Sequence, residues 1–175
     1  MSKVIPVLID QGAQPHGGLK YSIDSDPDTI KSSGCGLVAM TMALVVLLGR
    51  PVLVRELLYL ALKFKDRTAN QGTSWAFFKH VADLFKLKCV QTTDLALVLR
   101  EVIKPNVYVI CSMKPPTFTK GGHYILMCDY NMLTKKLTVR DSAGLAGKLR
   151  SAKTWSPDVF KKECKQYWII SKDGV

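Results

Sequence analysis

Cys35 sits between two glycines, in Ser32-Ser33-Gly34-Cys35-Gly36, and runs straight into the apolar stretch Leu37 to Leu48, which stops at Gly49-Arg50-Pro51. A thiol in the first turn of a helix faces unpaired N–H groups and the positive end of the macrodipole. It therefore ionises below the roughly 8.5 of a free cysteine. The thiolate is the reactive form. Gly34 and Gly36 carry no Cβ, and the spacing predicts that they leave the sulfur open to an approaching carbonyl. The competing reading of Cys35 is a small buried core residue, a common fate for free cysteines. A partner base decides between the two.

His123 is that partner. It follows Gly121-Gly122 and opens the strand-like run His123 to Tyr130, while Asp141 ends the next run, Leu137 to Asp141. A hairpin joining these runs brings both ends to one side of a sheet. Asp141 can then accept from one imidazole nitrogen while the other faces the thiol. Acyl transfer by a thiol also needs a donor for the developing oxyanion, for which Gln11 and the Cys35 backbone N–H are the candidates. Singly, each has a plain explanation: His123 as a structural histidine, Asp141 as a turn former. Gln14, His16 and His80 read as solvated.

The elements that must position these groups follow from periodicity. Ser32 and Ser33 are placed to cap the Cys35 helix and Gly49 and Pro51 to stop it. Val4 to Ile9 reads as a short strand, and Asp10 to Asp28 as a polar loop. Leu53, Leu57, Leu60 and Phe64 mark a second helix. Phe78, Ala82 and Phe85 mark a third, capped by Thr73 or Ser74, and Leu95, Leu99 and Val102 mark a fourth. Strands follow at Val107 to Met113, His123 to Tyr130 and Leu137 to Asp141, where Ser142-Ala143-Gly144 breaks the run. The double glycine ahead of His123 is expected to end its loop in a tight approach. A helix starts at Ser156-Pro157 and ends near Glu163, and Tyr167 to Ser171 closes the sheet. Helices first and antiparallel strands second is an α+β order.

Composition bounds the rest. With 47% hydrophobic and 22% charged residues, a disordered chain is excluded, and 175 residues fit one domain spanning 1–175. The net charge of +11 favours an anionic partner such as a phospholipid surface, a teichoic-acid-bearing wall or nucleic acid, or else simply serves solubility. The sequence has no RNP-like motif or arginine-rich block, so it carries no strong nucleic-acid signal. Cys35, Cys89, Cys111, Cys128 and Cys164 are odd in number and form no CxxC pair, which signals neither a zinc site nor a disulfide framework. The apolar run at the N-terminus is too short for a signal peptide, and no apolar run reaches the ~18 residues of a membrane span. The expected location is the cytoplasm, with release by a non-signal route such as phage lysis as the alternative.

The motifs Thr29-Ile30-Lys31-Ser32-Ser33-Gly34-Cys35-Gly36, Gly72-Thr73-Ser74-Trp75, Gly121-Gly122-His123-Tyr124 and Val139-Arg140-Asp141-Ser142-Ala143-Gly144 together resemble the C39-like family of papain-like cysteine peptidases. The likeness runs from about residue 20 to the final strand. It implies a papain-like fold, with a central N-terminal helix carrying the cysteine packed against an antiparallel sheet that carries the histidine and the acid. By matching position it places the nucleophile on Cys35, the base on His123 and the orienting acid on Asp141. The family's proline after GCG is Leu37 here, and its proline after the acid is Ser142. Its oxyanion glutamine stands a few residues before the cysteine, where this chain has Thr29 and Ile30, so Gln11 would reach the site only if the intervening loop folds out. The implied activity is hydrolysis of a peptide or amide bond in a protein, a peptide or a peptidoglycan stem peptide, with no cofactor. Deamidation, acyl transfer on the same triad, and a non-catalytic binding module of the same fold are the alternatives. Trp75, Phe118 and Trp155 are candidates for lining a cleft.

Overall fold

In the computed structural model of the protein, which describes residues 3–23, 25–69 and 72–172, a single turn, α1 (Ile30–Ser33), leads into α2 (Cys35–Leu48). Ser32 and Ser33 fall inside α1, and the residue at the head of α2 is Gly34, whose N–H is committed to the Ile30 carbonyl at 2.7 Å. The two serines therefore do not cap α2. Its far end is as expected: Gly49 adopts φ +62 and closes the helix in the left-handed region. Between these ends the helix is covered almost all round, and its one polar interior side chain, Thr41, donates to the Leu37 carbonyl at 2.8 Å.

Next come α3 (Val54–Lys63), a hairpin of β1 (Arg67–Thr68) with β2 (Gly72–Thr73), α4 (Ala76–Leu84), β3 (Lys88–Thr92) and α5 (Leu95–Val102). The buried face of α3 is Val54, Leu57 and Ala61, because Leu53 precedes the helix and points outward. Asp94 caps α5 by accepting from the Ala96 and Leu97 N–H groups. The chain then runs through β4 (Val107–Met113), β5 (His123–Asn131), β6 (Lys136–Arg140), α6 (Gly144–Ser151), β7 (Thr154–Trp155), α7 (Pro157–Glu163) and β8 (Cys164–Ser171).

Six strands form one antiparallel sheet in the order β3-β8-β4-β5-β6-β7. Both faces are buried, which explains why its central strands read as continuous apolar runs. Alternation divides them: Tyr108, Ile110, Leu126, Trp168 and Ile170 pack against α2, α3 and α4, whereas Val109, Cys111, Ile125, Val139 and Ile169 pack against α5 and α7. No helix among the described residues is long and apolar enough to cross a membrane.

Val4 to Ile9 forms no strand. Its carbonyls are taken by side chains instead, Val4 by the Tyr108 hydroxyl at 2.5 Å and Pro6 by Arg140 Nε at 2.7 Å. Pro6 offers no N–H to a ladder.

Buried Arg67 holds the loop ahead of α1 to the β1–β2 hairpin. It donates to the Tyr21 carbonyl at 2.9 Å, the Gly72 carbonyl at 3.1 Å, the Thr68 carbonyl and Asp28 Oδ2 at 2.6 Å, with Asp26 at 3.5 Å. Arg67→Ala leaves these acceptors without their cation. A loss of about 3–5 kcal/mol in urea unfolding is expected; a loss under ~1 kcal/mol would show that the clamp is dispensable.

Candidate active site

Three elements converge at the mouth of α2. Cys35 is its first residue and is half-buried; His123 opens β5, paired to Met113 of β4; Asp141 directly follows β6. The antiparallel pairing of β5 with β6 places the latter two side by side, and His123 Nε2 meets Asp141 Oδ1 at 2.7 Å. That leaves Nδ1 on the side of Cys35, and the two groups lie near enough for each to set the other's protonation. The Tyr124 N–H, 3.5 Å from Cys35 Sγ, donates to the sulfur as well.

Burial by itself pushes the Cys35 thiol up, but the His123 hydrogen bond and charge, with the N–H groups of Tyr124 and Gly36, outweigh it and hold the thiol below its ordinary value. Burial likewise opposes charge on His123. The hydrogen bonds to Asp141 and Cys35 win, and the imidazole is pushed up to about 10. Each shift favours the charged form of its group, thiolate on Cys35 and imidazolium on His123. Burial also works against the Asp141 carboxylate, yet His123, Arg150 and the Ala143 N–H hold it below the usual carboxylate range.

Arg150 had no signal in the sequence. It lies on α6, and its Nε donates to Asp141 Oδ2 at 2.5 Å, while Asp141 N donates to Ser151 Oγ at 2.8 Å. The helix comes this close because Gly147 lies on the backbone of Asp141: a Cβ there would stand 2.3 Å from the Asp141 carbonyl oxygen. A carboxyl whose folded-state pKa is depressed contributes stability above its unfolded pKa of about 3.9 and loses it as pH falls through the folded value. Arg150→Gln raises that folded value. The variant is expected to lose about 1.5–3 kcal/mol at pH 7 and to unfold at a higher pH than the parent in an acid titration followed by circular dichroism; an unchanged acid midpoint would remove Arg150 from this role.

Gln11 lies at the margin. Its Nε2 donates to the Lys31 carbonyl at 2.8 Å, its Oε1 accepts from Ser142 Oγ at 2.7 Å, and its N–H donates to the Ser142 carbonyl at 3.0 Å. The loop has folded so that Gln11 ties α1 to the residue after Asp141, with both ends of its amide engaged. His16 bonds the Asp10 carbonyl at 2.8 Å, and His80 is paired with Asp66 at 2.8 Å rather than free in solvent.

Cys35 and His123 border a cleft of about 660 Å³ that also includes Ser33, Gly72, Trp75, Ser112, Gly122 and Lys165. Of the aromatic candidates only Trp75 reaches it. Phe118 and Trp155 stack on each other at 4.7 Å in the core on the other face of the sheet. The glycines also behave differently from expectation. A Cβ on Gly34 would meet Ile30 at 2.6 Å and one on Gly36 would meet Thr73 at 2.8 Å, so both serve the chain's own packing. At Gly121 and Gly122 nothing lies within 4 Å. The open space beside the nucleophile is there, where a tight approach had been expected.

No known family model matches the chain, and no curated protein does. Solved structures do. The peptidase domain of Streptococcus ComA, a bi-functional ABC transporter, superposes with a TM-score of 0.58 at 15% identity, over 88% of this chain and 100% of that one. A double glycine motif protease from an AMS/PCAT transporter, in complex with the leader peptide, gives 0.55 at 12% identity over 97% and 99%. The peptidase domain of Streptococcus mutans ComA gives 0.52 at 14% over 94% and 98%. The chain has the α+β, papain-like fold of C39 peptidase domains.

Proposed function

We propose that the protein is a cysteine peptidase of the papain-like, C39-like type, with Cys35 as nucleophile, His123 as general acid and base, and Asp141 as the group that orients the imidazole. The observation that carries this reading is that Cys35 and His123 border one open cleft while Asp141 holds the imidazole from behind at 2.7 Å. A preformed thiolate attacks the scissile carbonyl without a prior proton transfer. His123 then gives its proton to the leaving amine, and the acyl group remains on Cys35 as a thioester. The neutral imidazole next takes a proton from water, the hydroxide attacks the thioester, and the thiolate departs. The Cys35 backbone N–H, at the head of α2, is assigned to the oxyanion. Gln11, with its amide engaged at both ends, is given a positioning part in place of the oxyanion part expected for it.

A peptide substrate is in keeping with the similar protease that was solved with the leader peptide. The test is digestion of a mixed peptide library by the protein and by Cys35→Ala, with new N-termini read by mass spectrometry. New termini from the parent alone are expected. Ammonia released without chain cleavage would make the enzyme an amidase, and no product from either would contradict the reading.

The pH dependence follows from the same pair. Turnover falls on the acid side as Cys35 takes up its proton, and on the alkaline side as His123, pushed up to about 10, loses the proton the leaving amine needs. A profile of kcat/KM flat from neutrality to pH 11 would contradict an imidazolium acid.

A further inference from the structure

Among the described residues that border the cleft, Lys165 is the single cationic side chain apart from His123, and none is a carboxylate. It comes to be there through a break in the sheet. Along β8, Tyr167 and Ile169 face the α5 and α7 side, and Trp168 and Ile170 face the α2 side. Strict alternation would send Cys164 to the α2 side with Trp168. Instead Cys164 packs with Tyr167, because the register of β4 against β8 shifts: Ser112 pairs with Gln166 and Met113 with Cys164, leaving Lys165 as the extra residue. A bulge of this kind re-aims a side chain next to a site. The neighbours of Lys165 are fixed by their own bonds, Gln166 Nε2 to the Thr92 carbonyl at 2.7 Å and Cys164 Sγ to the Gln166 carbonyl at 3.2 Å. Lys165 is exposed, and none of the ion pairs among the described residues involves it.

From this we propose that Lys165 is a specificity-determining residue that holds an acidic side chain of the peptide substrate in the cleft beside Cys35; the inference rests on the peptidase reading of that cleft. A carboxylate entering there meets an ammonium and the Ser112 hydroxyl, with no carboxylate among the described lining residues and the Cys35 sulfur facing the His123 imidazolium, within walls that exclude part of the solvent and so strengthen the attraction over its surface value. A lysine or arginine side chain in the same place meets like charge. The surplus of +11 acts in the same direction at longer range by steering acidic peptides toward the protein.

The test uses two alkylating probes of equal shape, the α-amide of N-iodoacetyl-glutamate and N-iodoacetyl-glutamine amide, with the rate of labelling at Cys35 followed by mass spectrometry at pH 7 and low salt. The glutamate probe is expected to react about three- to tenfold faster than the glutamine probe in the parent, a ratio that falls to about one in Lys165→Met and inverts in Lys165→Glu. Lys161→Glu, an equal change of net charge on α7 outside the cleft, is expected to keep the parent ratio. A ratio unchanged by Lys165→Met, or moved as much by Lys161→Glu, overturns the assignment. Failure of the peptidase reading looks different: the neutral glutamine probe would then label Cys35 no faster than Cys89, and the assignment would fall with it.

Discussion

His123→Ala is expected to lower peptide turnover by about 10⁴-fold or more while the protein stays folded. The loss is large because the imidazole serves twice, holding the thiolate before attack and protonating the amine afterwards. In its absence burial dominates Cys35 and pushes the thiol up, so the nucleophile at neutral pH becomes the protonated form. Folding survives because Asp141 keeps its bonds from Arg150 and from the Ala143 N–H. Steady-state hydrolysis of a peptide found in the library digest, with thermal unfolding alongside, checks both halves. Turnover within tenfold of the parent would exclude His123 from the chemistry.

Asp141→Ala is the second large effect and touches both activity and stability. The carboxylate is fully buried and receives His123, Arg150 and the Ala143 N–H, with Gly147 wedged against its backbone. Removing it strands a guanidinium and an imidazole that were placed to meet it. The expected costs are about 3–5 kcal/mol of stability and a fall in turnover on the order of 10²- to 10⁴-fold. Asp141→Asn separates the two: an amide fills the same volume and keeps much of the stability, yet it cannot favour the imidazolium. Urea unfolding and kcat for the pair are the measurements. An Asn variant as active as the parent would show that Asp141 matters only for folding.

The parts of the fold that could be read in advance are those whose burial is regular. The continuous run from Leu37 to Leu48 is legible as a covered helix because it is apolar on every face, β4 and β5 are legible because the sheet is buried on both sides there, and β6 is legible by its alternation. The proline at the start of α7 marked its helix by capping chemistry, and Leu95, Leu99 and Val102 marked α5 by their spacing. Where burial is irregular the pattern fails. β3 is an edge strand with mostly exposed residues and no alternation to see. Gly144 and Gly147 make α6 look like a break, and it is a helix because Gly147 must lie against Asp141, a packing demand that overrides propensity.

The same distinction runs through the site. Cys35, His123 and Asp141 were named from residue type and spacing, since the chemistry of a thiol nucleophile dictates its companions. Arg150 was invisible because its helix was. Lys165 was hidden because a register shift between β4 and β8 is set by pairing across the sheet and leaves no mark in either strand. Arg67 gave no sign either: its partners Asp26 and Asp28 stand about forty residues earlier. The glycines beside Cys35 were assigned to substrate access, but the structure puts Ile30 and Thr73 there and leaves the space at Gly121 and Gly122 instead.

The central claim is that Cys35 is a thiolate maintained by His123. The most direct test is alkylation by limiting iodoacetamide from pH 4 to 10, resolved cysteine by cysteine. Cys89 is the internal reference, half-buried like Cys35 and with its thiol pushed up by burial to about 11. Cys35 is expected to be labelled selectively well below pH 8, and His123→Ala to abolish the selectivity. Labelling of Cys35 no faster than Cys89, or unchanged in His123→Ala, would contradict it.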